Sequence, residues 1–454
     1  MNLLRDNKKT RWAVLFIISF VMFAAYVASD NIFAVETTLQ GDAYQISDSE
    51  YSSLAGAYSI FNVYLLMLIF GGIILDKKGI RFTGIMAAGL MVLGIGMLTF
   101  AMFRLRTLVA GGAVMETVNF LGDTLRPQVL IAVIGIGIYG VGAEIAGITA
   151  TKVIAKWFIG YEMALAMGLQ LALARLGTGL AYGLTPGIVK ACSGNVGIAV
   201  LVGLILLGVG LLAFLAYCVY DKKLDTQIRE QGVKEAESNP EDEFSWKDVI
   251  AVVKNPAFWM IALLCLLFYA AVNPFLKYST GMMVNKFGID QTLAGLFPMI
   301  LPMGCIVLTP LFGGVYDKKG HGADLMILGA AIITGVHVVF ALLPGGASAV
   351  FPIMLMVLLG IGFALLPSAM WPSIAKIIPA KQLGTAMALT FYIQNIGFIF
   401  VPKAIGAIKG ASGDYMWVSV FFAGLGLVAI VLALGIKLLD KKKQYGLQQP
   451  NIQS

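Results

Sequence analysis

The chain has 454 residues, of which 59% are in the apolar set and only 13% are charged, where a soluble domain carries about 25% charged residues. A water-facing surface cannot be built from that composition, which excludes a soluble multidomain protein. The net charge of +7 suits the flanks of membrane spans, and with no basic stripe interleaved with aromatics it gives no indication of a nucleic-acid partner.

From the N-terminus, Arg5, Lys8, Lys9 and Arg11 precede an apolar run of about 24 residues. That run is too long for a signal-peptide core and has no small-residue cleavage site, so it reads as a retained anchor. Twelve runs are long enough to cross ~30 Å of hydrocarbon. They fall at 12 to 35, 53 to 75, 82 to 103, 128 to 151, 162 to 187, 196 to 220, 257 to 280, 293 to 315, 323 to 343, 350 to 375, 381 to 408 and 414 to 438. Only helices satisfy their own backbone over such lengths in lipid. With the N-terminus inside, the inner flanks hold 23 Lys and Arg and the outer loops 8, which predicts both termini in the cytoplasm.

The domain plan expected from this is a six-span bundle over 1–220, a linker over 221–254, a second six-span bundle over 255–440 and a tail over 441–454. The linker carries 15 charged residues in 34, and Trp246, Val249, Ile250 and Val253 suit the face of an amphipathic helix lying on the inner membrane surface, with a simple solvated linker as the alternative. The outer segment Arg104 to Pro127 is unusually long and suggests no role of its own. Cys218, Cys265 and Cys305 sit in apolar runs and Cys192 in a short connection, without the spacing of a disulfide framework or zinc site.

The two halves repeat. Phe70-Gly71-Gly72 followed by Asp76-Lys77-Lys78-Gly79 returns 241 residues later as Phe312-Gly313-Gly314 followed by Asp317-Lys318-Lys319-Gly320. In the first copy, Gly72 allows a neighbouring helix to approach, Asp76 accepts from a helix N-terminus or a basic side chain, Gly79 allows the turn and Arg81 completes the pattern. Two parallel halves around a midplane site are a common transporter layout.

These loops resemble the signature of the major facilitator superfamily, at its expected position and with its weaker second copy. The resemblance narrows with Tyr26-x-x-x-Asp30-Asn31, Leu39-Gln40, Gly140-Val141-Gly142-Ala143-Glu144, Trp157-Phe158, Gly168-Leu169-Gln170-Leu171, Ala174-Arg175-Leu176-Gly177 and Asn273-Pro274-Phe275. Together they look like the branch that contains the lysosomal dipeptide uniporter. That resemblance implies an all-α fold of twelve transmembrane helices in two six-helix bundles, in which Glu144 and Arg175 hold the amino and carboxyl ends of a small peptide. The duplicated loops, with Gly72, Asp76, Arg81, Gly313 and Asp317, would then act as gates closing the inner face.

Glu144 and Arg175 stand out without any family. Counted from the ends of their runs they lie roughly 12 and 20 Å deep at 1.5 Å per residue. An isolated charge there costs at least ~2.5 to 3.5 kcal/mol, so each faces a partner or a cavity. A structural ion pair is one account, and two poles for a zwitterion are the other. Asn31, Tyr58, Asn62, Gln170, Asn273 and Asn395, with Asp30, Tyr64 and Gln394, are further lining candidates, although interhelical hydrogen bonds of ~0.6 kcal/mol explain most intramembrane Asn and Gln. Tyr269, Phe275 and Trp371 offer apolar walls for peptide side chains or pack against lipid. Proline residues 274, 298, 302, 367 and 372 mark kinks.

Gly135-x-Gly137-x-x-Gly140 matches a dinucleotide fingerprint as a string, but it has no preceding strand and reads as close helix packing. His337 reads as bonded to backbone. With no phosphate loop and no metal spacing, no cofactor is expected. The expected protein is a monomeric, non-enzymatic carrier of small peptides in the lipid bilayer, a uniporter by resemblance. Asp30 and Glu144 leave proton coupling open, because a buried carboxylate titrates near neutrality. A proton-coupled carrier of organic anions or sugars is the same-class alternative, and a receptor or scaffold with a carrier fold is the alternative of another class. None of the twelve asparagines lies in an Asn-x-Ser/Thr frame, which favours a bacterial cytoplasmic membrane over a glycosylated lysosomal one.

Overall fold

A computed structural model describes residues 3–230, 246–379 and 382–451. In chain order the helices are α1 (Lys8–Asp30), α2 (Glu36–Gln40), α3 (Asp48–Gly56), α4 (Ile60–Tyr64), α5 (Met67–Ala110), α6 (Pro127–Phe158), α7 (Met163–Ala191) and α8 (Val196–Glu230). They continue with α9 (Trp246–Val253), α10 (Pro256–Asn285), α11 (Leu296–Lys319), α12 (Gly322–Leu342), α13 (Val350–Ile377), α14 (Leu383–Ser412) and α15 (Met416–Lys443). The long outer segment is not structureless. It extends α5 to Ala110 and then forms a hairpin of β1 (Val118–Phe120) and β2 (Asp123–Leu125), antiparallel with Val118 opposite Leu125.

Helix boundaries have local causes. The Asn7 side chain caps α1 by accepting from the Lys9 and Thr10 amides, and Pro127 and Pro256 open α6 and α10 where a missing N–H costs nothing. At 1.5 Å per residue α5 would be roughly 66 Å long, more than twice the hydrocarbon core. It is broken at Gly79, whose φ of 77° only glycine adopts readily, so α5 supplies the end of the second crossing and all of the third. The second crossing, expected as one helix, comes in pieces. A 3-10 turn at Ala57–Ser59 follows α3, and Leu66 at φ 55° separates α4 from α5. Counted in this way the described helices make twelve crossings.

Several helices overrun the apolar runs that announced them. The α8 helix continues ten residues beyond the expected end at 220, so Asp221–Glu230 is helix where a linker was expected. Residues 231–245 of that linker lie outside the described residues, and α9 follows them.

The chain divides into two units. One comprises Met1–Ile32, Ala57–Ala181 and Ile188–Asn239, and the other Phe33–Gly56, Tyr182–Gly187 and Pro240–Ser454. In the first, α5 lies along α6 and α8, and α1 packs on both. Glycines make that closeness possible: Gly94 and Gly135 face each other backbone to backbone, and Gly142 sits on Ala87 and Met91. In the second, α10 contacts α14, α15 and α13, while α12 packs on α13 and α15. Besides most of the later half of the chain, the second unit takes in 33–56 and 182–187. Tight seats explain this. Gly56 lies against Ile399, Gly406 against Ser52, and Gly295 against Tyr182.

Candidate functional site

The charged centre of the first unit is built around Glu144 on α6, which is half-buried. The Tyr58 hydroxyl donates to Glu144 Oε1 at 3.2 Å. Tyr58 stands on the 3-10 turn, which α6 receives through two of the glycines of the string read as helix packing. A Cβ at Gly140 would collide with the Tyr58 carbonyl, and one at Gly137 would come within 2.9 Å of the Phe61 ring. Tyr139, with its ring centroid 6.1 Å from that of Tyr58, donates its hydroxyl to Ala25 O at 2.6 Å and ties α6 to α1. Beside it on α1 stands Tyr26, which is half-buried. Gly177 holds α7 against this part of α1, since its Cβ would lie 2.6 Å from Phe23 O and 3.2 Å from Tyr26 Cβ. Arg175 stands roughly 3 Å further along the same helix.

The helix ends change the depth argument. Glu144 is fourteen residues from Phe158, and Arg175 twelve from Met163. The two charges therefore lie roughly 21 and 18 Å from that end of the bundle, at nearly one level. The offset expected from the sequence came from ending the fourth span near Lys152, whereas α6 runs on to Phe158.

The remaining candidates separate by unit. In the first, Asn31 is buried and spends its amide nitrogen on Ala199 O at 2.9 Å, tying α1 to α8. Asn62 is 1% exposed with neither side-chain oxygen nor nitrogen hydrogen-bonded, and Gln170 is half-buried on α7. In the second, Tyr269 accepts from Trp371 Nε1 at 3.1 Å, and Trp371 stacks on Phe391 at 4.8 Å. Asn395 donates to Phe391 O in its own helix at 3.0 Å, and Asn273 is half-buried beside Pro274. His337 is bonded to backbone, its Nε2 3.1 Å from Ala271 O.

The repeated loops are held in different ways. Asp76 pairs with Lys152 at 2.6 Å, and Arg81 with Asp225 at 2.8 Å and Asp221 at 3.4 Å. Lys156 completes that set, 2.9 Å from Asp221 and 2.5 Å from Asp225. Asp317 instead accepts from the Asn451 amide at 2.7 Å. A side chain at Gly72 or Gly313 would meet nothing within 4 Å, and Gly71 is the residue that takes a neighbouring side chain, Ile145 of α6.

Sequence reasoning missed a second charged constellation, in the second unit. Glu36 is wholly buried and receives Lys409 at 2.5 Å and the Tyr415 hydroxyl at 3.0 Å. Lys409 also reaches Gln40 Oε1 at 3.0 Å and Asp48 at 3.1 Å. Close by, Lys277 Nζ donates to Ala55 O at 2.5 Å and lies 4.4 Å from the Phe33 ring centroid. The available signal was Glu36 and Gln40 at i, i+4 immediately after an apolar run taken to end at 35.

Twelve crossings in two repeats, with opposite charges held at depth where lipid tolerates none unpaired, define a multi-pass membrane transporter for a small-molecule substrate. The Major Facilitator Superfamily model matches residues 15–402, and the chain belongs to that superfamily. It is 26% identical over 438 residues to the lysosomal dipeptide transporter MFSD1 of Homo sapiens, covering 93% of this chain and 85% of that one. The fold is similar to that of a D-xylose-proton symporter, at a TM-score of 0.69 and 16% identity over 93% of this chain and 97% of the other. It is also similar to the peptide transporter POT in complex with sulfate, at 0.66 and 14% over 96% and 95%.

Proposed function

We propose that the chain carries dipeptides by alternating access as a uniporter, with Glu144 receiving the peptide ammonium and Arg175 its carboxylate. The observation that carries the reading is that these opposite charges, on α6 and α7, stand at nearly one level, fourteen residues from Phe158 and twelve from Met163. The charged ends of a dipeptide are on the order of 7 Å apart by backbone reach, so a zwitterion offsets both intramembrane charges at once. Similarity to relatives named as dipeptide transporters supports the same substrate class. In this reading Asn31, Tyr58, Asn62, Gln170, Tyr269, Asn273 and Asn395 are further substrate-binding residues. Gly72, Asp76, Arg81, Gly313 and Asp317 form the latch of the inner gate, which stabilises the outward-open state.

Counterflow of radiolabelled dipeptide in proteoliposomes tests the reading. The parent should exchange free dipeptide and reject N-acetylated dipeptide. Glu144→Gln should lose most binding of the free peptide and little further affinity for the acetylated one, and dipeptide amides should behave in the matching way with Arg175→Ala. A folded Glu144→Gln variant that treats all peptides as the parent does would rule out the clamp and leave an organic-anion carrier in its place. For location, we propose a bacterial cytoplasmic membrane with both termini inside. A C-terminal reporter that matures only outside the cytoplasm should stay dark, and signal from it would overturn that orientation.

A further inference from the structure

The two repeats place matching positions at their chain-end sides, with one difference in residue type. Arg81 is five residues beyond Asp76, and Gly322 is five beyond Asp317. Asp221 is the twenty-sixth residue of α8, and Asp440 the twenty-fifth of α15. Lys156 stands third from the end of α6, and Lys376 second from the end of α13. In the first repeat these positions meet directly, Arg81 and Lys156 closing on Asp221 and Asp225.

The second repeat has a glycine where the arginine would be, and a stretch of main chain occupies that place. The Gly322 amide donates to Leu447 O at 2.9 Å, the His321 amide to Gln448 O at 3.0 Å, and the Asn451 amide to Asp317 O at 3.0 Å. Asp440 accepts from the Leu447 amide at 3.1 Å. Lys376 donates to Gly446 O at 3.0 Å and Gln449 O at 2.9 Å. Gln448 adds a bond to Asp324 at 3.0 Å, and the Leu447 side chain is wholly buried. Glycine is needed where the segment crosses the loop, because Gly320 has φ 73° and a Cβ there would collide with Gln448 O.

We propose that residues 444–451 are an intramolecular clip that replaces, in the second repeat, the arginine-centred charge network of the first. The clip holds the chain-end sides of α11, α12, α13 and α15 as one body and stays in place throughout transport. The inference needs only that the chain is a transporter, and the dipeptide enters as the transport probe.

The test uses two variants of the full protein and two readouts, the thermal unfolding midpoint and dipeptide counterflow. A stop codon after Lys443 should lower the midpoint by roughly 5 °C or more and slow counterflow about five-fold, a loss of some 1 kcal/mol in rate terms. The pair Asp324→Cys with Gln448→Cys, linked by a short bis-methanethiosulfonate reagent whose bonds open on reduction, pins the clip, and it should transport within about two-fold of its reduced form. An unchanged midpoint and rate after truncation would overturn the proposal. So would a pinned protein that stops transporting and recovers on reduction, since the segment would then have to leave. A truncated chain that fails to fold counts with the expected loss, and the pinned pair then decides whether the clip stays. If the parent exchanges no dipeptide, the functional reading fails while the midpoint still reports on the clip.

Discussion

Lys409 closes on Glu36 at 2.5 Å across 373 residues of chain, and the carboxylate it meets is wholly buried. Removing one partner of such a pair strands the other charge away from water, at a cost of about 3 to 5 kcal/mol, whereas replacing both with apolar side chains is close to neutral. Lys409→Met should therefore lower the unfolding midpoint sharply, and Glu36→Leu combined with Lys409→Met should recover most of the loss, with Asp48 left to its Gln40 bond at 2.7 Å. Equal midpoints for the single and double variants would show that the pair is not what holds this cluster.

In the proposed clamp, Tyr58 positions Glu144 through a hydrogen bond of 3.2 Å. A hydrogen bond to a charged group contributes about 1.5 to 3 kcal/mol, so Tyr58→Phe should weaken binding of a free dipeptide by roughly ten-fold or more in calorimetry. Binding of an N-acetylated dipeptide should not change, because that ligand has no ammonium for Glu144 to receive. A parallel fall for both ligands would mean that Tyr58 shapes the cavity in general.

Two glycines on α6 make a matched pair. At Gly140 a Cβ would collide with the Tyr58 carbonyl, while at Gly147 it would meet nothing within 4 Å. Overpacking a tight contact costs about 1 to 3 kcal/mol, and glycine in a helix interior is about 0.5 to 1 kcal/mol worse than alanine. Gly140→Ala should thus reduce both stability and binding, and Gly147→Ala should leave binding intact and raise the midpoint slightly. Thermal unfolding with a parallel binding titration checks both.

The carboxylates of the first repeat's chain-end side differ in burial. The Asp76 side chain is 46% exposed against Lys152, and that of Asp221 is 2% exposed between Lys156 and Arg81. Exposed pairs contribute about 0.2 to 1 kcal/mol and buried ones several times more when broken. Asp221→Asn should be clearly destabilising and Asp76→Asn nearly silent in unfolding, so that any loss of transport in Asp76→Asn reports gating. Comparable destabilisation by the two would contradict the burial argument.

Run length and composition were enough to read the twelve crossings and the repeat, because a helix that must span ~30 Å of hydrocarbon leaves a long apolar signature. The ends at Phe158 and Glu230 were not legible, since helices continue into water on charged residues that hydropathy scores as loop. The turn at Ala57–Ser59 was equally hidden, as it carries neither proline nor glycine and is imposed by the glycine seats on α6. Glu144 and Arg175 were visible as isolated charges in apolar runs. Glu36 and Lys409 were not, because each sits near the end of its run, where a charge is unremarked, and their pairing depends on contacts between segments far apart in sequence.

The chain-end sides of the two repeats are fastened by different forces, and salt distinguishes them. Arg81, Lys152 and Lys156 act on carboxylates, with the Arg81 and Lys152 side chains 38% and 35% exposed, and at physiological ionic strength such fields fade over about 8 Å. The 444–451 segment is fastened chiefly by its own amides and carbonyls, dipoles with little net field for counter-ions to screen. Raising the ionic strength therefore loosens the charge network of the first repeat more than the 444–451 fastening of the second, where the exposed Lys437–Asp324 pair at 2.6 Å is the part that salt reaches.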